Sequence, residues 1–501
     1  MLPALSADGR VLVFWSYASN LVPGDGNRAA DVFCRDLMTG AFEAISVNPA
    51  GRTGNGESQS CSISADGRFV AFYSRATDLV PGDANGTGDV FVRDRQTGTT
   101  RLVSKSSSGV QGDYGSFEQA ISADGRFVAF RSAATNLVPN DSNRNDDIFV
   151  HDLLAGTTER VNLSTLGAEA NRDSIDVAIS ADGRFVAFSS IANNLHPSVR
   201  VLQWHVYVHD RLSAVTECVS LASDGSDNDG HSRWPAMSAD GRWVCFQSEA
   251  SRLVPGDRNG ASDGFLHDRR SGSNARVNLT GSGMESSGPV GRCTVTPDGR
   301  FVAFESAAAD LVTGDLNGDN DVFLKDLLTG TVSLVSVGLG GSAGARASFS
   351  PSVSSDGRRI AFQSAARDLI SHDTNKSYDI FVRDRGTGST ALHDTIVLAG
   401  DVHLAEGGSA GLSWYSAPSR ARWWLLASAG NLGTTIGGHP FGVGPDFRIM
   451  ATGTCDARGT AGFTTAPFPA WTAGRTVYVE VGARDAGGRI YDSNVLERIV
   501  Q

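Results

Sequence analysis

Helical periodicity is missing from this 501-residue chain. No stretch spaces its apolar residues three or four apart over a useful length, so a helix-built architecture is excluded. Long apolar runs are missing too. None approaches the roughly 18 residues that a membrane-crossing helix needs. Basic charge is short: 43 Lys+Arg stand against 55 Asp+Glu, for a formal net charge of −12. A nucleic-acid footprint requires a basic stripe, and that class is excluded as well. Aromatic residues are only 8 % of the chain, while glycine is abundant at 58, as turn-rich β proteins tend to be.

What is there is a repeat. Asp-Gly-Arg recurs seven times at a constant spacing of 58 residues, with its aspartates at Asp8, Asp66, Asp124, Asp182, Asp240, Asp298 and Asp356. A fixed period of this size means one supersecondary unit, copied and stacked. In the second copy a strand is expected at Cys61–Ser64, then the Asp66-Gly67 hairpin signal. A second strand follows at Phe69–Phe72, then a long loop through Leu79 to Asp83. A third is expected at Val90–Val92, running to Asp94, and a fourth at Arg101–Ser104 after a Thr97-Gly98 turn. The second and third strands are apolar on both faces, which fits a sheet held between two neighbours.

Six cysteines do not make a disulfide framework. Cys61 and Cys293 occupy one repeat position in distant copies. Cys34, Cys218 and Cys245 stand singly, and Cys455 lies beyond the repeats. All are expected as small buried hydrophobes. No Cys or His spacing fits a zinc site.

Four antiparallel strands per copy, stacked around an axis, make a β-propeller, here with seven blades around a channel. The run Ser-Ala-Asp-Gly-Arg-Phe-Val-Ala-Phe, then Asp-Val-Phe-Val-Arg-Asp, then Thr-Gly resembles the repeat of TolB-like, or WD-repeat-like, bacterial propellers. The resemblance covers residues 1–392 and speaks to fold, because propellers host unrelated activities. Residues 393–501 differ. The 58-residue pattern stops. Strand-like runs at Thr395–Leu398, Trp423–Ala427, Phe447–Ala451 and Val477–Val481 predict a β-sandwich, Ig-like in kind. This part is similar to C-terminal domains of secreted bacterial surface proteins, through Asp456–Gly459, Ala461–Phe463 and Ser493-Asn494. The chain opens directly on a strand, with no signal peptide. A cytoplasmic location and an incomplete start are the two readings. The resemblance implies an exported protein: secreted, periplasmic or at the cell surface.

The long loop between second and third strands carries Asp-x-Asn-x-x-x-Asp in six copies. The sets are Asp25, Asn27, Asp31; Asp83, Asn85, Asp89; Asp141, Asn143, Asp147; Asp257, Asn259, Asp263; Asp315, Asn317, Asp321; and Asp373, Asn375, Asp379. Asp319 adds a fourth group in the sixth copy. Hard cations such as Ca²⁺ need several oxygens from a sharply turning loop, and these loops offer them. They depart from the EF-hand pattern. The alternative is that Asp and Asn accept their own backbone amides in Asx-turns.

Other motifs carry less. The Asp-box of sialidase-type propellers places Gly two residues after Asp, and here Gly follows at once. Arg68 and Asp94 are expected on one rim, as an ion pair or a solvated edge. Gly-Gly-Ser-Ala-Gly occurs at 340–344 and 407–411 without the strand and helix of a nucleophile elbow, and reads as loop.

The fourth copy breaks the pattern. Val199, Val201 and His205 replace the three acidic-loop positions, and the next inter-blade loop carries His231 and Trp234. Both loops leave the same face. Trp204, His205, His231 and Trp234 therefore define a candidate aromatic patch for a protein or a glycan. The competing reading packs both indoles into the blade. The expected function is a non-catalytic binding or scaffold protein, monomeric, with no nucleic acid and no membrane span. The alternative is a glycan-active hydrolase or lyase at the channel mouth. An enzyme needs singular titratable residues there, because identical copies cannot be acid and base at once.

Overall fold

The computed structural model describes residues 3–370, Asp373 and 377–386 with their side chains, and beyond Gly386 only strand backbone. Every regular element among the described residues is a strand. Six antiparallel sheets have four strands each, and a seventh has three described strands. They are the seven blades of a propeller. Their first strands are Ala4–Leu5, Ser58–Ile63, Ser116–Ile121, Ser174–Ile179, Ser232–Met237, Val290–Val295 and Ser348–Val353. The expected fourth strand of blade seven lies outside the described residues.

Each Asp-Gly-Arg sits in the turn between first and second strands. Ser64 Oγ donates to Asp66 Oδ1 at 2.6 Å, and the Arg68 amide donates to the same oxygen at 2.9 Å. Gly67 takes φ +74°, the left-handed conformation that L side chains disfavour. The glycine has a second reason. In blade three, a Cβ on Gly125 would stand 2.1 Å from Phe69 Cδ2 of blade two. The turn of one blade thus packs on the ring that follows Asp-Gly-Arg in the blade before.

The recurring arginine is tied down. Arg68 donates through Nε and Nη2 to Asp94 Oδ1 and Oδ2 at 2.9 and 2.7 Å. The pair recurs as Arg126–Asp152, Arg184–Asp210, Arg242–Asp268 and Arg300–Asp326. The arginine also lies over the next ring, 4.7 Å from the Phe69 centroid. This rim is structural.

The core of each blade is an aromatic pair from second and third strands, tilted in blade one (Phe14–Phe33 at 6.1 Å) and stacked in the others, as Phe72–Phe91 at 5.8 Å and Phe188–Tyr207 at 5.7 Å. Such a pair contributes about 0.5–1.5 kcal/mol beyond its buried area. The five cysteines among the described residues are buried and unbridged.

The first strands are innermost, since those of consecutive blades touch around the ring and that of blade seven touches that of blade one. A relay of backbone bonds runs through the turns. Ala7 N donates to Ala65 O, Ala65 N to Ala123 O, Ala123 N to Ala181 O, Ala181 N to Ala239 O and Ala239 N to Pro297 O, all at 2.9–3.0 Å. Pro297 has no N–H, so the step to blade seven is missing. Ser355 N then closes the circle on Ala7 O at 2.8 Å. Arg359 Nη1 adds a bond to Gly9 O at 2.9 Å.

Several boundaries differ from those read in the sequence: the second strand of blade two, for one, runs on to Ser74. The first strand of blade two begins at Ser58, ahead of Cys61, because a bulge at Ser60 lets Ser58 and Gln59 pair as well. The fourth strand is Thr99–Leu102, ending early. Beyond it Ser104 Oγ turns inward to Asp89 Oδ1 at 2.6 Å, which draws the chain off the ladder.

The chain divides into two compact units, the first formed by Met1–Arg35 and Phe42–Arg383. In the second, strand Arg422–Ser428 pairs antiparallel with both Arg448–Thr454 and Thr476–Arg484. The sandwich packing expected for 393–501, the strand at Thr395–Leu398 and Cys455 lie outside the described residues.

Candidate functional site

Loops between second and third strands meet the inter-blade loops on one face. In blade one Asn27 Nδ2 donates to Asp31 Oδ2 at 2.7 Å and to Gly54 O at 2.8 Å, while its Oδ1 accepts the Ala29 amide at 2.8 Å. Asn85, Asn143, Asn259 and Asn317 repeat this arrangement. The asparagine is an Asx-turn strut between two loops. The last aspartate of each set (Asp31, Asp89, Asp147, Asp263, Asp321) is fully buried. Each accepts a side chain just after the fourth strand: Ser46, Ser104, Asn162, Asn278 or Ser336. Burial pushes Asp31 and Asp89 up to about 6 and Asp321 up to about 7, and the facing Asp25, Asp83 and Asp315 act in the same direction. Asp319 is exposed and offers its amide to Asn317 Oδ1 at 2.8 Å. In blade seven Asp379 is buried and Asp373 half-buried. Asn375 lies outside the described residues.

The blades differ in what faces these carboxylates. In blade three Arg160 Nη1 bridges Asp141 and Asp147 at 3.3 and 3.2 Å, and Nη2 reaches Glu169 at 3.0 Å. In blade five Asp257, Asp263 and Glu285 bring one oxygen each within 4.8 Å of one another, a geometry able to hold a cation. Arg276 already stands among them, at 3.3, 3.1 and 2.8 Å. In blade two Gln111 Nε2 donates to Asp83 at 2.8 Å and Asp89 at 2.9 Å. Blade one supplies only Thr53 Oγ1, 3.5 Å from Asp25.

Blade four reverses the signs. His205, in place of the last aspartate, is fully buried, and its Nε2 lies 3.2 Å from Asp227 Oδ1 on the inter-blade loop. Burial lowers this histidine to about 4, against the pull of Asp227. Val199 fills the first acidic position at 2 % exposure, and Val201 is exposed. Trp204 is half-buried, and the exposed His231 accepts its amide through Nδ1 at 3.2 Å. The Arg233 guanidinium covers the Trp204 ring at 4.3 Å. Trp234 stands on the first strand of blade five, half-buried, with Arg292 of blade six 5.1 Å from its ring. His205 is thus interior and Trp204 meets His231, while Trp234, expected in the inter-blade loop, lies instead within strand Ser232–Met237 and faces blade six.

Trp234 also marks a feature that sequence reading missed. The third residue of the first strand is bulged into the left-handed region in five blades: Ser60, Glu118, Asp176, Trp234 and Ser350, with φ from +43° to +56°. The equivalent residue of blade six is Arg292. No two neighbours in this column match, and the positions on either side vary too, whereas the first residue of the same strand is serine in Ser58, Ser116, Ser174, Ser232 and Ser348. The fifth residue of the second strand diverges alongside it, giving Tyr73, Arg131, Ser189, Gln247, Glu305 and Gln363. Aligning the copies column by column is the signal that finds it.

These columns meet near the loop face, on the first and second strands. Glu118 Oε2 accepts the Asp176 amide at 3.0 Å, linking blades three and four. Glu305 accepts the Arg292 and Ser350 amides at 3.1 and 2.5 Å, linking blades six and seven. Burial raises Asp176, and Glu118 adds to this, while Arg292 and the Trp234 amide oppose it. Burial raises Glu305 too. A cavity of about 400 Å³ lies between blades two and three, walled by Tyr73, Phe117, Glu118 and Arg131 among others. Tyr73 stacks on Phe117 at 5.4 Å, and Arg131 reaches both that ring, at 5.7 Å, and Glu118, at 3.4 Å. Flat aromatic faces beside charged forks suit a ligand with both apolar faces and polar edges.

No family model and no curated protein matches the chain. Among solved structures it is similar to a putative TolB from Agrobacterium tumefaciens, at 18 % identity over 58 % of this chain and 83 % of that one, with a TM-score of 0.36. A periplasmic gluconolactonase from Pseudomonas aeruginosa matches at 14 % identity over 77 % and 95 %, with a TM-score of 0.35. Prolyl oligopeptidase B from Galerina marginata matches at 10 % over 85 % and 54 %, with a TM-score of 0.44.

Proposed function

We propose that this chain is an exported, non-catalytic binding protein whose propeller presents its loop face to a glycan or a protein. One observation carries the reading. Columns that build the blades stay constant, while half-buried aromatic and charged residues diverge at the inner end of one face. A scaffold has no use for such divergence; a ligand lacking sevenfold symmetry does. The edge formed by Trp204, Arg233, Trp234 and Arg292 is the proposed contact, with His205 supporting it from within. Arg–indole stacks of this kind often dominate interfaces. The acidic loops of the same face are proposed as calcium-stabilised supports.

The test is binding of purified protein to an array of defined oligosaccharides, with melting measured in parallel. Trp204→Ala with Trp234→Ala is expected to abolish binding and to change melting little. A large loss of stability would show that the indoles are core, and an array with no retained glycan would leave only the protein half of the proposal.

A second reading, a glycan-active hydrolase or lyase, draws on Glu118 and Asp176. They are adjacent, singular carboxylates of unequal environment, as acid and base must be. Both also face backbone amides, which favours a positioning role. Product release from a bound glycan, lost in Asp176→Asn, would decide for the enzyme.

A further inference from the structure

Among the described residues, blade six keeps the buried acidic pair and lacks the arginine or glutamine that bridges its two carboxylates in blades two, three and five. Asp315 is 2 % exposed, and neither carboxylate oxygen receives a hydrogen bond of ordinary geometry, although the Asn317 amide turns toward it. Asp321 is fully buried, and accepts only Ser336 Oγ at 2.6 Å and Asn317 Nδ2 at 2.7 Å. The position of Arg160 and Arg276 is Leu334 here. The position of Glu169 and Glu285 is Ala343. Two buried carboxylates without a counter-charge are strongly unfavourable, because the interior does not replace their water. A cavity of about 570 Å³, walled by 280–282 and 309–316, reaches Asp315.

We propose that Asp315 and Asp321 bind a hard, oxygen-seeking cation of the calcium class, in the place that a guanidinium takes in blades three and five. The molecule supplies its own control. Where the arginine is present, one or two of its nitrogens stand within 3.3 Å of both carboxylates. Where it is absent, the carboxylates remain and a soluble ion takes its role. Carboxylate and carbonyl oxygens with retained waters are what such ions use. The inference rests on the calcium-stabilised reading of the loop face and says which loop holds the ion.

The experiment is thermal melting of the full chain with millimolar calcium chloride or a chelator. Asp315→Asn is run beside it, with a double variant, Leu334→Arg and Ala343→Glu, that copies blades three and five. Wild type is expected to melt roughly 3 °C higher with calcium, as for a ligand about a hundredfold above its dissociation constant. Asp315→Asn should lose that shift. The double variant should melt alike in both conditions, near the calcium value of wild type. If it fails to fold, terbium luminescence of wild type against Asp315→Asn decides, with emission expected from wild type alone. A full calcium shift in Asp315→Asn overturns this site and moves the ion to another loop. No shift in wild type overturns the calcium reading as well.

Discussion

His151 stands on the third strand of blade three, 1 % exposed, with Nδ1 2.8 Å from Thr158 Oγ1. Burial, helped by Lys105 and opposed by Asp152, lowers it to about 4. A lowered histidine is neutral when folded and takes its proton when unfolded. Its contribution is therefore complete above the unfolded value of 6.5 and declines as pH falls toward 4. The acidic loops act in the opposite sense, because Asp89, raised to about 6, binds its proton more tightly when folded. The net slope mixes both, so the test is a difference. His151→Gln keeps a hydrogen-bonding side chain and cannot titrate. The stability of wild type relative to this variant should fall by roughly 3 kcal/mol between pH 7 and 4. Parallel pH curves from denaturant unfolding would remove His151 from the account. None of this was legible in the sequence, where His151 occupies a strand position held by Arg35 and Arg93 in other blades. The shift comes from burial, which only the packed blade imposes.

At the scale of elements, the hairpin turn shows what the repeat was saying. Asp-Gly announces a tight turn from sequence alone, and the aspartate and glycine perform that role. The second demand on the glycine, contact with the preceding blade, has no local signature. Gly125→Ala meets both constraints, φ +73° and a Cβ 2.1 Å from Phe69 Cδ2. It is expected to destabilise by about 2–4 kcal/mol, from left-handed strain plus overpacking. Gly156→Ala, at φ +71° with open space around it, carries strain alone and should cost about 1–2 kcal/mol. Equal losses by denaturant unfolding would show that the inter-blade contact contributes nothing. The acidic loop teaches the reverse lesson. Its Asp and Asn were visible, but their partners come from the inter-blade loop some 27 residues on, as Asn27 with Gly54 shows. The spacing that reads as a metal loop is, at each asparagine, a strut. The cation question turns on Leu334 and Ala343, residues that attract no attention by themselves.

For the whole molecule, closure is the decisive event. Blade one begins with its own innermost strand, and the ring closes where that strand and its turn meet blade seven, through Ser355 N to Ala7 O at 2.8 Å. The relay of turn bonds lacks one step, at Pro297. Pro297→Ala supplies the missing donor, worth about 1 kcal/mol net, but also restores about 0.4–1 kcal/mol of freedom to the unfolded chain. The propeller transition should therefore move by less than about 1 kcal/mol. A larger gain would mean that closure is limited by this single step. The ring also explains why the mouth must be asymmetric to be useful. Seven equal blades present seven equal edges, and only substitutions such as Glu118, Asp176, Trp234 and Arg292 give a ligand one orientation.

The sequence by itself determined the repeat, the blade number, the turns and the apolar strands. Those features rest on local chemistry, repeated every 58 residues: an Asp-Gly turn, a strand apolar on both faces, a Thr-Gly return. It also placed the acidic loops and the Trp204 loop of blade four on one face. Only the tertiary structure decided which of them meet. A left-handed bulge in the first strand brings divergent side chains from successive blades together. Packing buries His205 against Asp227 and leaves Trp204 and Trp234 half-buried, each under an arginine. Among the described residues a guanidinium reaches the acidic pair in blades three and five and none does in the sixth. Each of these joins residues from different loops or blades, and their proximity exists only once the ring has closed.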